Sequence, residues 1–222
     1  VLVSARDFYE QDYHFAEDVE RPNLPRLRRA MRHLQPMPGT AFLDLGCGVG
    51  WATRLAVREY AVGSAVGLDF SHRALVSAAA LTPEAGWVDA DGTRLPFRDA
   101  TFDRVFSFGS MEHFPDIRGG FAEVYRVLRP GGRLVTAVPN FYIKTGQPLE
   151  FRATKGGWGA VMRSVGFEIE RVATDPGPAL FKNRRPLRLA LRLVLRAISL
   201  IPVLRYQFVF VLRKPSSIDG AV

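Results

Sequence analysis

The chain is poor in thiol and imidazole: one cysteine, Cys47, and four histidines stand among 222 residues. A single cysteine excludes an intramolecular disulfide and offers no zinc cluster, which points to a reducing, cytoplasmic setting. No group of His, Cys and acidic residues has metal-ligand spacing, so no metal is expected. Val1 to Asp18 lacks the basic, apolar, small-residue order of a secretory signal. Arginines interrupt every apolar run well before the roughly 18 residues a membrane span needs. Acid is missing from Phe181 to Lys214, and nine of the 30 Lys and Arg residues fall there. The rest carries 21 basic against 22 acidic residues, so the formal charge of +8 belongs to one late segment. That distribution argues against a nucleic-acid partner for the body of the chain. At 47% hydrophobic and 23% charged, the sequence suits one well-buried domain.

Glycine, by contrast, is concentrated where it matters. Ala41-Phe42-Leu43-Asp44-Leu45 reads as a short buried strand, and Gly46-Cys47-Gly48-Val49-Gly50 follows directly. Alternate glycines let a backbone turn sharply and bring bare N–H groups close to a ligand. Trp51 to Tyr60 reads as a helix, whose N-terminus attracts the polar and anionic groups of a nucleotide-like molecule. Gly46 and Gly48 match the first two glycines of the dinucleotide fingerprint, but the third position is Trp51, too large for that helix–strand contact. A Walker loop is excluded as well, because no Gly-Lys-Ser/Thr follows.

Ala65 to Phe70 forms a second apolar strand ending in Asp69, nineteen residues beyond Gly50. In βαβ nucleotide sites an acid about 20 residues on reaches the ribose hydroxyls. Ser71 is placed to cap a helix over 71–81. Gly86 to Asp91 reads as the third strand, Arg104 to Phe108 as the fourth, and Gly109 to Asp116 should border the ligand pockets at the carboxyl end of the sheet. Ile117 to Leu128 has helical periodicity, stopped by Arg129-Pro130-Gly131-Gly132. Leu134 to Val138 is the fifth strand, Thr154 to Val165 a helix, and Gly166 to Val172 a strand. Asn23 to Gln35 is a helix whose exposed face carries Arg26, Arg29 and Arg32.

The run from Asp44 to Gly50 resembles the first motif of the class I S-adenosylmethionine-dependent methyltransferases. Asp91, then Leu95-Pro96-Phe97, Thr101-Phe102-Asp103 and the strand after it, are similar to the small-molecule, ubiquinone/menaquinone methyltransferase-like branch. Leu128-Arg129-Pro130-Gly131-Gly132-Arg133-Leu134 also resembles that family. The resemblance implies a doubly wound, Rossmann-like α/β fold: a seven-stranded sheet whose last strand, Leu204 to Leu212, is antiparallel. It implies S-adenosyl-L-methionine as cofactor, with S-adenosyl-L-homocysteine as product. Asp44 with Gly46, Cys47, Gly48 and Gly50 would hold its methionine part, Asp69 its ribose, and Asp91 with the backbone of Gly92 its adenine. Phe70, Ser107 and Phe108 complete the expected contacts. Asp89 is an alternative to Asp91, displaced by two residues from the Leu-Pro-Phe spacing. Glu112-His113 resembles the Glu-His pair of the family; His113 is the candidate base and Glu112 its orienting partner, against a purely structural reading. Cys47 reads as a small loop residue, not a nucleophile.

The division expected is an N-terminal lid or packed helix (1–36), a cofactor-binding core (37–174), a basic helical insertion (175–203) and the final strand (204–214). Phe8, Tyr9, Tyr13, His14 and Phe15 make the first segment aromatic. In the insertion, Arg185, Arg188, Arg192 and Arg196 share one narrow helical stripe amid leucines. Such a helix can pack in a monomer, build a homodimer, or lie on an anionic membrane surface. The function expected is methyl transfer to a small-molecule acceptor. Methylation of a lipid or isoprenoid at a membrane surface, and cofactor binding without turnover, are the alternatives.

Overall fold

The computed structural model describes residue 8 and residues 24–142, 147, 149–175 and 206–216. The aromatic cluster from Tyr9 to Phe15 and the arginine-bearing insertion lie outside the described residues. Within them, β1 (Ala41–Leu45), β2 (Ser64–Asp69), β3 (Gly86–Asp89), β4 (Phe102–Phe108), β5 (Leu128–Pro139), β6 (Glu168–Asp175) and β7 (Gln207–Arg213) form one sheet ordered β3-β2-β1-β4-β5-β7-β6. Strand β7 is antiparallel to both its neighbours, and the other pairings are parallel. This is the doubly wound architecture expected. Its strand order reverses between β1 and β4, where open α/β sheets bind ligands.

Each face is covered because the strands are apolar on both sides. Helices α1 (Leu24–Leu34) and α2 (Trp51–Tyr60) bury Leu27, Ala30, Met31, Leu34, Ala52, Leu55 and Ala56 against Phe42, Phe106, Val135, Val209 and Val211. On the other face, α4 (Ile117–Val127) and α5 (Lys155–Ser164) bring Phe121, Val124, Trp158 and Met162 onto Leu43, Val105, Leu134 and Phe210. Helix α3 (His72–Leu81) starts where Ser71 caps it, accepting from the Ala74 amide at 3.2 Å. Asp116 and Thr154 cap α4 and α5 in the same way.

Three readings are corrected. The Arg129 to Gly132 run lies past the end of the helix, as read, but within the fifth strand: α4 ends at Val127 and β5 begins at Leu128, not Leu134. There Lys214 Nζ donates to the Tyr125 and Leu128 carbonyls at 2.8 Å, closing the helix end that a turn would otherwise satisfy. Strand β3 stops at Asp89, leaving Asp91 in the following turn. Arg26 does not share an exposed face with Arg29 and Arg32. Spacings of three drift about 60° per step around a 3.6-residue helix, and the Arg26 side chain is only 11% exposed.

Candidate cofactor and acceptor site

At the carboxyl end of β1 the glycine loop turns through three left-handed residues, Gly46, Gly48 and Gly50 (φ 69°, 53° and 80°). Its amides are not bare. Gly46 N and Cys47 N both donate to the Leu68 carbonyl at 2.8 and 3.0 Å. Gly48 N donates to Asp69 Oδ2 at 2.8 Å, and Gly50 N to the Cys47 carbonyl at 2.9 Å. The loop is therefore braced against the end of β2, and what its glycines provide is space. A Cβ on Gly46 would lie 2.3 Å from Ser110 Oγ, whose hydroxyl donates to the Gly46 carbonyl at 3.1 Å. Trp87, from β3, fills the volume that side chains at Gly50 and Gly67 would take. Cys47 is buried, with its sulfur toward the Gly67 side, consistent with a small loop residue.

The three acids read from the sequence are placed differently. Asp44 is 3% exposed, and its Oδ2 accepts from both the amide and the hydroxyl of Thr53 (2.9 and 2.8 Å), tying β1 to the first turn of α2. Burial pushes its pKa to about 7 despite those hydrogen bonds. Asp69 stands at the tip of β2, with Oδ2 on Gly48 N and Oδ1 on Ser71 N at 2.9 Å. Asp91 is exposed. Its Oδ1 accepts from the amide and hydroxyl of Thr93, both at 2.8 Å. Phe114 packs over the bare Gly92, where a Cβ would come within 2.4 Å of its ring. Asp89 is turned to His72, with 3.6 Å between Nδ1 and Oδ2. The Leu95-Pro96-Phe97 segment is clamped onto α4: Arg126 donates to the carbonyls of Leu95 and Phe97, and Glu123 accepts from Leu95 N.

Phe70 and Phe108 are half-buried at strand ends, Phe108 stacked on Phe106 with 6.0 Å between centroids. Ser107 is fully buried on the α4/α5 face beside Thr136, and neither hydroxyl has a hydrogen-bond partner. After β4 a single 3-10 turn, Met111–His113, carries the candidate pair. Glu112 is 3% exposed and His113 half-buried. The Glu112 carboxyl meets its own backbone N–H, while Oε2 has no partner. It does not orient His113 through that oxygen. Burial, with a smaller contribution from Glu150, raises its pKa to about 8.

Sequence reasoning missed the polar cluster beside this turn. Arg26 Nε donates to Asp175 Oδ2 at 2.7 Å and its Nη2 to Gln207 Oε1 at 3.0 Å, joining α1 to the ends of β6 and β7. The guanidinium lies 5.1 Å from the Phe108 ring centroid and 5.5 Å from that of Tyr206. Among the described residues no three His, Cys, Asp or Glu are grouped to hold a metal ion, and no helix is long and apolar enough to cross a membrane.

A strand-end acid, a braced glycine loop and a reversal of strand order meet at the carboxyl end of the sheet, where open α/β folds bind ligands. Residues 43–136 match the family model described as "Methyltransferase domain". Curated relatives include cycloartenol-C-24-methyltransferase 1 of Oryza sativa subsp. japonica, 32% identical over 57% of this chain and 41% of that protein. A demethylmenaquinone methyltransferase of Beutenbergia cavernae is 36% identical over 56% of this chain and 52% of that one. The chain thus spans only about two-fifths to one-half of these relatives' length. Among solved structures, a putative methyltransferase in complex with the Haloferax volcanii Trm112 activator superposes with a TM-score of 0.80, at 19% identity, over 98% of this chain and all of that one. The matched stretch resembles a class I S-adenosylmethionine-dependent methyltransferase domain. The cofactor of that class is S-adenosylmethionine. The residues fit it: Asp69, held by two amides, places a carboxylate at the β2 tip beside a loop that turns through three left-handed glycines.

Proposed function

We propose that the protein transfers a methyl group from S-adenosylmethionine to a small-molecule acceptor by in-line displacement. The observation that carries this reading is the coupling of Asp69 to the glycine loop through Gly48 N, at the point where the strand order reverses. Asp69 would take the ribose hydroxyls, the loop from Gly46 to Gly50 the methionine part, and Asp91 with Gly92 the adenine. Asp44 supports the loop from beneath by fixing the start of α2. The sulfonium supplies an already activated methyl, so the chain's task is alignment and the removal of at most one proton. Phe108, Glu112 and His113 border the place where the acceptor would sit.

Turnover is tested by incubating the protein with methyl-deuterated S-adenosylmethionine and a small-metabolite extract. A labelled product formed together with S-adenosylhomocysteine supports the reading. Cofactor binding with no S-adenosylhomocysteine above the blank would make the protein a non-catalytic binding module.

A second reading, an acceptor with a large apolar body, is favoured by the exposed Phe141, Tyr142, Leu149 and Phe151 in the connection after β5. Phe151 N donates to the Glu112 carbonyl at 2.8 Å, which ties this connection to the turn that carries Glu112. The sterol and menaquinone substrates named for the relatives agree with it. Flotation with anionic liposomes tests membrane contact, and absence of binding removes that variant.

A further inference from the structure

Trp51 opens α2 at the position where a dinucleotide site requires glycine. Its ring packs against the apolar cluster that α1 and α2 build on Phe42 and Phe106, with Phe108 at the border of the same cluster. The Nε1–H of that ring is buried and has no hydrogen-bond partner. The other two tryptophans are satisfied: Trp87 Nε1 donates to the Thr82 carbonyl at 3.2 Å and Trp158 Nε1 to the Pro139 carbonyl at 2.9 Å. An indole nitrogen donates and does not accept, and a buried donor left unmet is costly unless something else meets it. Side chains on a helix lean toward its N-terminus. One at the first helical position therefore overhangs the start of α2, where the glycine loop ends and the helix dipole favours negative charge. Gly50, the N-cap, brings no side-chain acceptor of its own. Arg54, the cation of that first turn, is engaged at the end of α3, its Nη1 donating to the Leu81 carbonyl at 2.6 Å.

We propose that Trp51 Nε1 donates to the α-carboxylate of S-adenosylmethionine, so that this indole, together with the glycine loop, holds the amino-acid end of the cofactor. This rests on the methyltransferase reading above and adds a binding residue to it. Of the two charged groups at that end of the molecule, the ammonium is itself a donor, so a donor-only indole is matched to the carboxylate alone. The bond is charge-assisted, and the indole body stays packed on the apolar cluster while its polar edge meets the ligand. The bulk that excludes a dinucleotide at this helix start is what carries the donor.

Calorimetry on the intact protein compares wild type with Trp51→Phe, each titrated with S-adenosylhomocysteine and with its decarboxylated analogue, in which hydrogen replaces the α-carboxylate. Phenylalanine keeps an aromatic ring in the cluster and removes the N–H. It should weaken binding of S-adenosylhomocysteine at least about tenfold and change that of the analogue by less than about twofold, because the charge-assisted bond exists only with the carboxylate. A second readout needs no variant: in wild type, the assigned Trp51 indole N–H resonance should move downfield with S-adenosylhomocysteine and not with the analogue. Should Trp51→Phe fail to fold, that resonance decides. A wild type that binds neither compound overturns the cofactor reading, and this inference with it. Wild-type binding of S-adenosylhomocysteine combined with unchanged affinity in Trp51→Phe, an equal loss for both compounds, or an unmoved Trp51 resonance overturns this inference alone.

Discussion

Asp69 Oδ2 accepts a hydrogen bond from Gly48 N at 2.8 Å, so the acid at the tip of β2 and the glycine loop after β1 are one rigid unit. Its second oxygen is held by Ser71 N, the residue that also caps α3. Replacing Asp69 by Asn places an amide donor against one of those two N–H groups. The expected result is a loss of about 1–3 kcal/mol in stability and at least about tenfold in cofactor affinity, read by chemical denaturation and calorimetry.

Gly46→Ala strikes the same unit from the other side. A methyl group there lies 2.3 Å from Ser110 Oγ and 2.4 Å from Ser110 Cβ, at a backbone φ of 69°. The turn after β4 must move, and about 1–3 kcal/mol of strain is expected. Cofactor binding should weaken more than in Gly39→Ala, where φ is 83° but no atom lies within 4 Å. Equal effects of the two substitutions would show that backbone strain, not the contact with Ser110, matters.

Arg26→Met leaves the carboxylate of Asp175, itself 5% exposed, without its partner. Breaking a buried pair from one side costs about 3–5 kcal/mol. The double variant Arg26→Met, Asp175→Leu should recover much of that loss in denaturation. A double variant as unstable as the single one would mean that Arg26 acts mainly through Gln207, Phe108 and Tyr206.

The pH dependence of stability follows from two buried acids, Asp44 near pKa 7 and Glu112 near 8, each raised by burial. The folded protein holds these protons more tightly than the unfolded chain, where carboxyl groups titrate near 4. Their contribution is therefore fully present below about pH 4 and is lost as pH rises through 7 and 8. For Asp44 the loss is on the order of 4 kcal/mol at most. Asp44→Asn keeps an oxygen for Thr53 and should flatten the fall in melting temperature between pH 5 and 8. An unchanged slope would show that Asp44 is ionised across that range in the fold.

Much of the frame was legible in the sequence because it depends on local signals. The helix from Trp51 to Tyr60 has the expected ends, Ser71 caps its helix as read, and the antiparallel last strand takes its expected direction. What the sequence concealed are long-range partners. The loop amides looked available because their acceptors, Leu68 O and Asp69, come from the neighbouring strand. Arg26 read as a surface residue because its partner Asp175 lies 149 positions away. Of the Glu112-His113 pair, the fold buries Glu112 and leaves His113 half-exposed, a difference in burial that no local pattern encodes.

The central claim is that the Asp69–glycine-loop unit binds S-adenosylmethionine. Calorimetric titration of the intact protein with S-adenosylhomocysteine, repeated on Asp69→Ala, tests it most directly. One-site, micromolar binding to the wild type that disappears in the variant is the predicted result. No binding to the wild type, or equal binding to a folded Asp69→Ala, would contradict it.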